Sequence, residues 1–176
     1  MTNREYLDKV LRENAKQNWW QPDLFSKHVR HLLSGSLEIL LDPPIANENY
    51  NCFMYALGLH SNQNIREESK GFIYDTFFSK LLDANELEII NNPLKGDYVL
   101  YKDEKNHPDI LTHIGVISGN SVISKWSWGP LIKHDLLDVP QSYGEDIFYV
   151  RSISQEESER LYAQYKKFNV PPTSSE

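Results

Sequence analysis

The spacing of apolar residues changes near residues 91–93, and this change constrains the fold more than any other feature of the sequence. Before it, for example over residues 3–18, apolar side chains recur at the three- and four-residue intervals of amphipathic helices. After it, as in residues 98–101 and 111–117, they recur with the two-residue period of strands. Helices followed by a run of strands are typical of the α+β class. We therefore expect N-terminal helices packed on a C-terminal antiparallel meander or half-barrel.

The same patterns predict the individual elements. Helices are expected over residues 3–18, 23–33 (with a stop at 34–36), 52–59, 72–82 and 154–165, and the polar segment 61–70 is expected to be a loop. Strands are expected over residues 98–101, 111–117, 122–126, 131–134 and 147–150, with a charged hairpin loop over 102–109. These expectations divide the chain into an N-terminal helical region (1–41) packed on the core, an α+β domain (42–170) and a disordered tail (171–176).

The only cysteine, Cys52, opens the apolar helix predicted over residues 52–59. Asn49 or Asn51 can cap this helix, because an Asn side chain accepts hydrogen bonds from the free N–H groups of a first turn. The partial positive charge of a helix N-terminus lowers a thiol pKa and can also hold an oxyanion. Cys52 is therefore a candidate nucleophile with a depressed pKa. The alternative is that it serves only as a small apolar residue in the core.

Composition narrows the function classes. A chain of 176 residues with 40% hydrophobic residues is long enough for one folded domain with its own core. The net charge of −7 is spread along the sequence without a Lys/Arg stripe, so a nucleic-acid partner is not expected. One cysteine cannot form an internal disulfide, and no Cys/His spacing indicates a metal site. We expect neither a metal nor another cofactor.

The distribution of apolar residues also bears on location. No run of eighteen apolar residues is present, so no membrane span is expected. The first residues lack the apolar centre of a signal peptide. We expect a cytoplasmic protein as synthesised, with signal-independent export left open.

Three motifs occur in a fixed order after residue 50. A cysteine opens a buried helix, a Gly-Asp pair precedes a strand, and a strand with alternating His and Gly follows about sixty residues after the cysteine. The motifs are Asn51-Cys52-Phe53-Met54-Tyr55-Ala56, Gly96-Asp97-Tyr98-Val99-Leu100-Tyr101 and His113-Ile114-Gly115-Val116-Ile117-Ser118-Gly119-Asn120. This ordered set, over about residues 45–150, resembles the NlpC/P60 and CHAP group of papain-like cysteine peptidases and amidases.

The resemblance implies a papain-like, NlpC/P60-type fold and a catalytic centre. It implies that Cys52 is the nucleophile, that His113 is the general base, and that the backbone N–H of Cys52 is one oxyanion donor. The third catalytic position of the group falls on Ser124, where the group more often has His, Asn, Asp or Glu. A serine orients an imidazole less strongly than a carboxylate. His134, or Asp135 beside it, is the alternative third residue.

Two tryptophans, Trp126 and Trp128, stand beside a Lys and a Gly-Pro turn. They can line a substrate groove, because indole rings offer a flat surface to a sugar or peptide, or they can cap the sheet as core residues. Asn51 and Tyr55, on either side of Cys52 and near it, are the other candidate substrate contacts.

These observations favour a papain-like thiol hydrolase that cleaves an amide or isopeptide bond through an acyl-thioester on Cys52. A peptide or a peptidoglycan-like cell-wall peptide is the substrate class that the resemblance implies. One alternative is a non-catalytic domain of the same fold that binds through the tryptophan groove. Another is an acyl or amide transferase on the same two residues, in which an amine replaces water. A protein partner is left open.

Overall fold

A computed structural model describes residues 1–33 and 35–172; Ser34, at the predicted helix stop, and residues 173–176 of the predicted tail lie outside the described residues. The helices are α1 (Asn3–Asn14), α2 (Pro22–His28), α3 (Cys52–Ala56), α4 (Gln63–Glu68), α5 (Asp75–Asp83) and α6 (Gln155–Tyr165). The strands are β1 (Glu38–Leu41), β2 (Ile89–Ile90), β3 (Tyr98–Asp103), β4 (His107–Ser118), β5 (Ser121–Lys125), β6 (Leu131–His134) and β7 (Asp146–Val150). The predicted α+β class is confirmed.

Local signals in the sequence account for the longer helices. At α1, Thr2 and Glu5 form a capping box, in which each side chain accepts a backbone N–H of the other residue. At α6, which begins where the sequence predicts a helix, the Ser154 side chain accepts the N–H of Glu157. The left-handed Gly58 follows α3 closely, so this buried helix has only five residues.

Two predicted loops are wrong. The polar segment 61–70 contains α4, because the Asn62 side chain caps the N–H of Ile65 and the buried Ile65 anchors the turn. The charged segment 102–109 is mostly strand, since β3 continues to Asp103 and β4 begins at His107. In both segments tertiary packing and strand pairing decide the structure of a polar sequence.

The seven strands form one sheet in the order β1-β6-β5-β4-β3-β7-β2, and every described pair is antiparallel. β1 belongs to the N-terminal 41 residues and pairs with β6 at one edge. The N-terminal region therefore contributes a strand to the sheet as well as helices.

Both faces of the sheet are covered by apolar packing. The first face carries α3, α5 and α6; its core includes Phe53, Met54, Phe77, Phe78, Leu100, Ile114, Val150 and Leu161. The second face is covered by the N-terminal segment; its core includes Leu7, Val10, Trp19, Phe25, Val99, Tyr101, Val122 and Trp126. None of the helices in the described ranges combines the length and the apolarity that a membrane crossing requires.

Candidate active site

α3 begins at Cys52, and Asn51 is its N-cap, as predicted. The Asn51 backbone is extended, and its Oδ1 accepts the N–H of Met54 at 3.1 Å. The same side chain also binds a second segment, because Oδ1 accepts the N–H of Ile73 and Nδ2 donates to the Ile73 carbonyl at 2.7 Å. One buried amide thus fixes the start of α3 against the segment at Ile73, which precedes α5.

The thiol of Cys52 is nearly closed off from solvent, with 7% of the residue exposed. Burial raises the pKa of Cys52 to about 11, although the backbone N–H groups of Ile114, Phe53 and Cys52 itself favour the thiolate. The predicted depression of this pKa is therefore wrong. A helix of five residues offers only its first N–H groups, and these do not offset the cost of placing a charge in an apolar core.

Lys125 is a second buried ionisable group on the α3 side of the sheet. Its partner on β6 is Leu131, and its ammonium donates to the Gly129 carbonyl and lies 4.8 Å from the centre of the Tyr50 ring. Burial lowers the pKa of Lys125 to about 7, whereas the nearby Cys52 thiolate would raise it. A positive charge on Lys125 in turn favours the Cys52 thiolate.

His113 lies on β4 opposite Tyr101, and paired strand residues share a face. Its side chain therefore points to the second face of the sheet, where its ring stacks on Tyr143 with centroids 4.0 Å apart. Its Nε2 is buried and has no hydrogen-bond partner among the described residues. Burial holds the pKa of His113 well below the ordinary imidazole value, and the nearby His134 lowers it further. His113 is thus a neutral imidazole with a free ring nitrogen.

Cys52 lies near one edge of β4, the strand that carries His113. β5 pairs with β4 only at residues 116–118, so the preceding part of β4 is open on that side. The N–H of Ile114 approaches the Cys52 sulfur, and strand N–H groups point sideways in the plane of the sheet. The sulfur therefore lies near the strand edge with the first-face core, whereas the His113 ring lies on the second face, and the two residues line the same cavity.

A cavity of about 340 Å³ opens at this edge. Cys52, Asn51, Phe72, Thr112, His113 and Tyr143 are among the residues that line it. The wall is mainly apolar and the polar groups are few, which is typical of small-molecule and substrate sites. The cavity therefore gives a ligand access to both the thiol and the segment that carries the imidazole.

The two candidates for the third catalytic position bind each other. Ser124 Oγ lies 2.8 Å from His134 Nε2, and His134 Nδ1 lies 2.7 Å from the carbonyl oxygen of Asp135. Both ring nitrogens of His134 are thus engaged, and Asp135 contributes its backbone carbonyl to this arrangement. Ser124 and His134 lie on the second face with His113, since Val122, two residues before Ser124, pairs with His134.

The two tryptophans follow different alternatives of the sequence analysis: Trp126 is a core residue, whereas Trp128 lines a separate pocket. Trp126 is 0% exposed, because strand alternation turns it into the second core with Val122. Trp128 is half-buried and meets Phe72 edge-on, so the two indoles do not form one surface. Tyr55 packs against His60, and the residues lining the cavity do not include it. Asn51 does line the cavity.

Lys125 and Tyr143 are functional candidates that the sequence analysis did not identify. A signal for Lys125 existed, because alternation on β5 places it on the same face as Ile123 and so toward α3. Tyr143 lies in a short turn after Pro140, and nothing in its local sequence indicates that it stacks on His113.

The family model described as a domain of unknown function, DUF7689, matches residues 44–151. The chain belongs to this family. The DUF7689 segment runs from the approach to α3 to the end of β7 and therefore contains Cys52, His113, Ser124 and His134. No curated protein and no solved structure is significantly similar to the chain.

Proposed function

We propose that this protein is a cysteine peptidase or amidase with a papain-like arrangement of a helix N-terminus against an antiparallel sheet. The observation that carries the proposal is that Cys52, at the start of a buried helix, and His113, with a buried and unpartnered Nε2, line one cavity. The substrate is an amide or isopeptide bond in a peptide, and cell-wall peptide is the class that the sequence resemblance implies.

The chemistry follows from these groups. His113 takes the thiol proton as the sulfur attacks the carbonyl carbon, and the first N–H groups of α3 stabilise the oxyanion. The C–N bond breaks as the imidazolium gives its proton to the departing amine, leaving an acyl-thioester on Cys52. Water, activated by the neutral imidazole, then hydrolyses the thioester and restores the thiol.

The ionisation states support a general-base mechanism over a resting ion pair. Because burial raises the pKa of Cys52 and lowers that of His113, both groups are neutral before substrate binds. Proton transfer and attack must then occur together, as they do for a serine nucleophile. Binding a substrate carbonyl in the cavity would place the developing charge next to the backbone N–H donors.

Trapping the acyl-enzyme tests this proposal. The protein is incubated with an activated acetyl ester, and intact and peptide mass spectrometry locate the added acetyl group. We expect one acetyl group on Cys52, no adduct in Cys52→Ala, and at least a roughly hundredfold slower reaction in His113→Gln, since general bases contribute about that much. His31→Gln, which changes an exposed histidine, is the matched control.

Two results would contradict the proposal: acetylation at other residues only, or an equal rate in His113→Gln and the wild-type protein. The rate at which the acetyl group leaves Cys52 distinguishes a thiol hydrolase from an acyl or amide transferase, the two enzyme classes that the sequence left open. Loss of the acetyl group in water indicates a hydrolase, whereas an adduct that persists until an amine is added indicates a transferase.

A further inference from the structure

A second pocket, of about 240 Å³, lies on the other side of the segment that precedes Cys52. It is formed where three parts of the chain meet: the turn before α3, the C-terminal end of α4, and the loop between β5 and β6. The residues that matter here are Asn49, Arg66, Glu67, Lys70, Gly71 and Trp128. None of them belongs to the proposed catalytic centre.

Three residues that line this pocket each carry a buried polar side-chain atom that has no partner within the described ranges. These atoms are the Oδ1 of Asn49, the Nε of Arg66 and the indole Nε1 of Trp128. Buried polar groups in folded proteins are almost always paired, so three unpaired groups around one pocket need an explanation. Two of them are donors and one is an acceptor, which indicates a ligand that offers both kinds of group.

The charges at the pocket favour an anion. Arg66 and Lys70 are positive, and only Glu67 is negative. The Glu67 carboxylate accepts a hydrogen bond from the Gln63 side chain, one turn earlier on α4. This bond directs the carboxylate toward the N-terminal end of the helix. Arg66 uses Nη1 to hold the His60 carbonyl at 2.8 Å, and this bond fixes the direction of the guanidinium. A positive pocket in a chain of net charge −7 is a local feature rather than a general property of the surface.

The backbone at the pocket is held in an uncommon conformation. Lys70 has a φ of 55° and the following Gly71 a φ of 74°, both in the left-handed region. A Cβ at Gly71 would lie 2.1 Å from the Asn49 carbonyl oxygen, so only glycine permits this close approach. The strained turn places the lysine beside the segment that leads directly to Cys52.

One aromatic pair separates this pocket from the Cys52 cavity. Trp128 lines the pocket, Phe72 lines the cavity, and their rings meet edge-on with centroids 6.4 Å apart. A peptide that reaches over this pair could place one end in each site.

We propose that the Arg66–Trp128 pocket binds a carboxylate of a peptide, with Asn49 accepting an adjacent amide N–H. The guanidinium Nε and the indole N–H donate to the carboxylate oxygens, and Lys70 adds a second positive charge. This site would select substrates that carry a carboxylate near the amide presented to Cys52. The role of the Arg66–Trp128 pocket as a substrate subsite rests on the proposed function. Its binding of a carboxylate does not.

The indole N–H signals in a two-dimensional ¹H–¹⁵N NMR spectrum test the proposal. The chain has four tryptophans, and Trp128→Phe identifies the Trp128 signal by its loss. N-acetylglycine is titrated into the protein, with N-acetylglycinamide as the uncharged ligand of the same shape. We expect N-acetylglycine to shift the Trp128 signal in a saturable way and N-acetylglycinamide to leave it unchanged.

Arg66→Met should raise the concentration needed for half-saturation by roughly tenfold or more, since hydrogen bonds to charged groups are the strong ones. Arg12→Met, at an exposed arginine on α1, is the matched control and should bind as the wild-type protein does. Both variants are shown to be folded if their spectra match the wild-type spectrum except for signals near the substituted residue.

Equal shifts with the acid and the amide, no shift with either, or unchanged binding in Arg66→Met would overturn the proposal. The experiment is also carried out in Cys52→Ala, which keeps the pocket intact. If N-acetylglycine binds but the wild-type protein forms no acetyl adduct on Cys52, the pocket proposal stands and the enzyme proposal fails. If the adduct forms but N-acetylglycine does not bind, the enzyme proposal stands and the pocket proposal fails.

Discussion

At the scale of single residues, burial outweighs the helix N-terminus in setting the state of Cys52. The partial charge of a helix end is worth about 0.3–1 kcal/mol at an exposed position. The loss of solvation for a buried thiolate is larger, and the pKa of Cys52 accordingly rises to about 11. The thiol is therefore a weak acid in the folded protein, and the proposed attack by its sulfur would depend on a base.

This balance predicts the pH dependence of Cys52 alkylation. Because only the thiolate reacts, a raised pKa means that the iodoacetamide rate should climb about tenfold per pH unit from pH 7 to at least pH 9.5. The same chain unfolded in urea should level off near the ordinary thiol value of about 8.5. Rates are measured by mass spectrometry on quenched samples. A plateau below about pH 9 in the folded protein would show that the thiolate is stabilised.

At the scale of elements, α3 is too short to be stable by itself, since isolated helices of this length do not form in water. Its position depends on Asn51, which caps the helix and exchanges two hydrogen bonds with Ile73. The start of α3, the cavity wall at Ile73 and the candidate nucleophile Cys52 are thus joined through one buried amide.

Asn51→Ala should lower the free energy of unfolding by about 2–4 kcal/mol. The lost cap accounts for about 1 kcal/mol, and the unpaired N–H and carbonyl of Ile73 account for the rest. Asn62→Ala removes the cap of α4 and a hydrogen bond to the exposed Glu159, and should cost about 1 kcal/mol. Urea unfolding measures both. Equal losses in the two variants would mean that the link to Ile73 contributes no stability.

At the scale of the whole molecule, the N-terminal segment closes the second face of the sheet. Trp19 packs on the backbone of Gly129 in the loop between β5 and β6. The carbonyl of the same glycine accepts the hydrogen bond from Lys125, the buried lysine near Cys52. One loop therefore contacts both the N-terminal segment, through Trp19, and the buried Lys125 on the α3 side of the sheet.

Gly129→Ala should disturb this contact. A Cβ at Gly129 would lie 2.2 Å from the Trp19 ring and 2.9 Å from the Trp126 carbonyl oxygen. Overpacking of this kind costs about 1–3 kcal/mol. Gly35→Ala, where a Cβ meets nothing within 4 Å, should change the free energy of unfolding by less than about 0.5 kcal/mol. Urea unfolding followed by tryptophan fluorescence compares the two variants. If Gly129→Ala leaves the free energy of unfolding unchanged, Trp19 is free to move away from the added methyl group.

The sequence by itself determined the elements whose signals are local. The change of hydrophobic period predicted the α+β class and the strands at residues 98–101 and 111–117, and Asn51 and Ser154 marked two helix starts. Such signals suffice where one face of an element is buried and its caps are encoded nearby. They failed for α4, whose polar sequence becomes helical through its cap and the buried Ile65.

Only the tertiary structure decided what covers each candidate residue. Alternation along β5 places Trp126 and Lys125 on opposite faces, but the packing of α3 and of the N-terminal segment decides which face meets which core. The pKa values of Cys52 and His113 depend on how much chain covers them, and the grouping of Asn49, Arg66 and Trp128 depends on three distant segments meeting. Desolvation and long-range contacts are properties of the packed molecule, so no local pattern in the sequence specifies them.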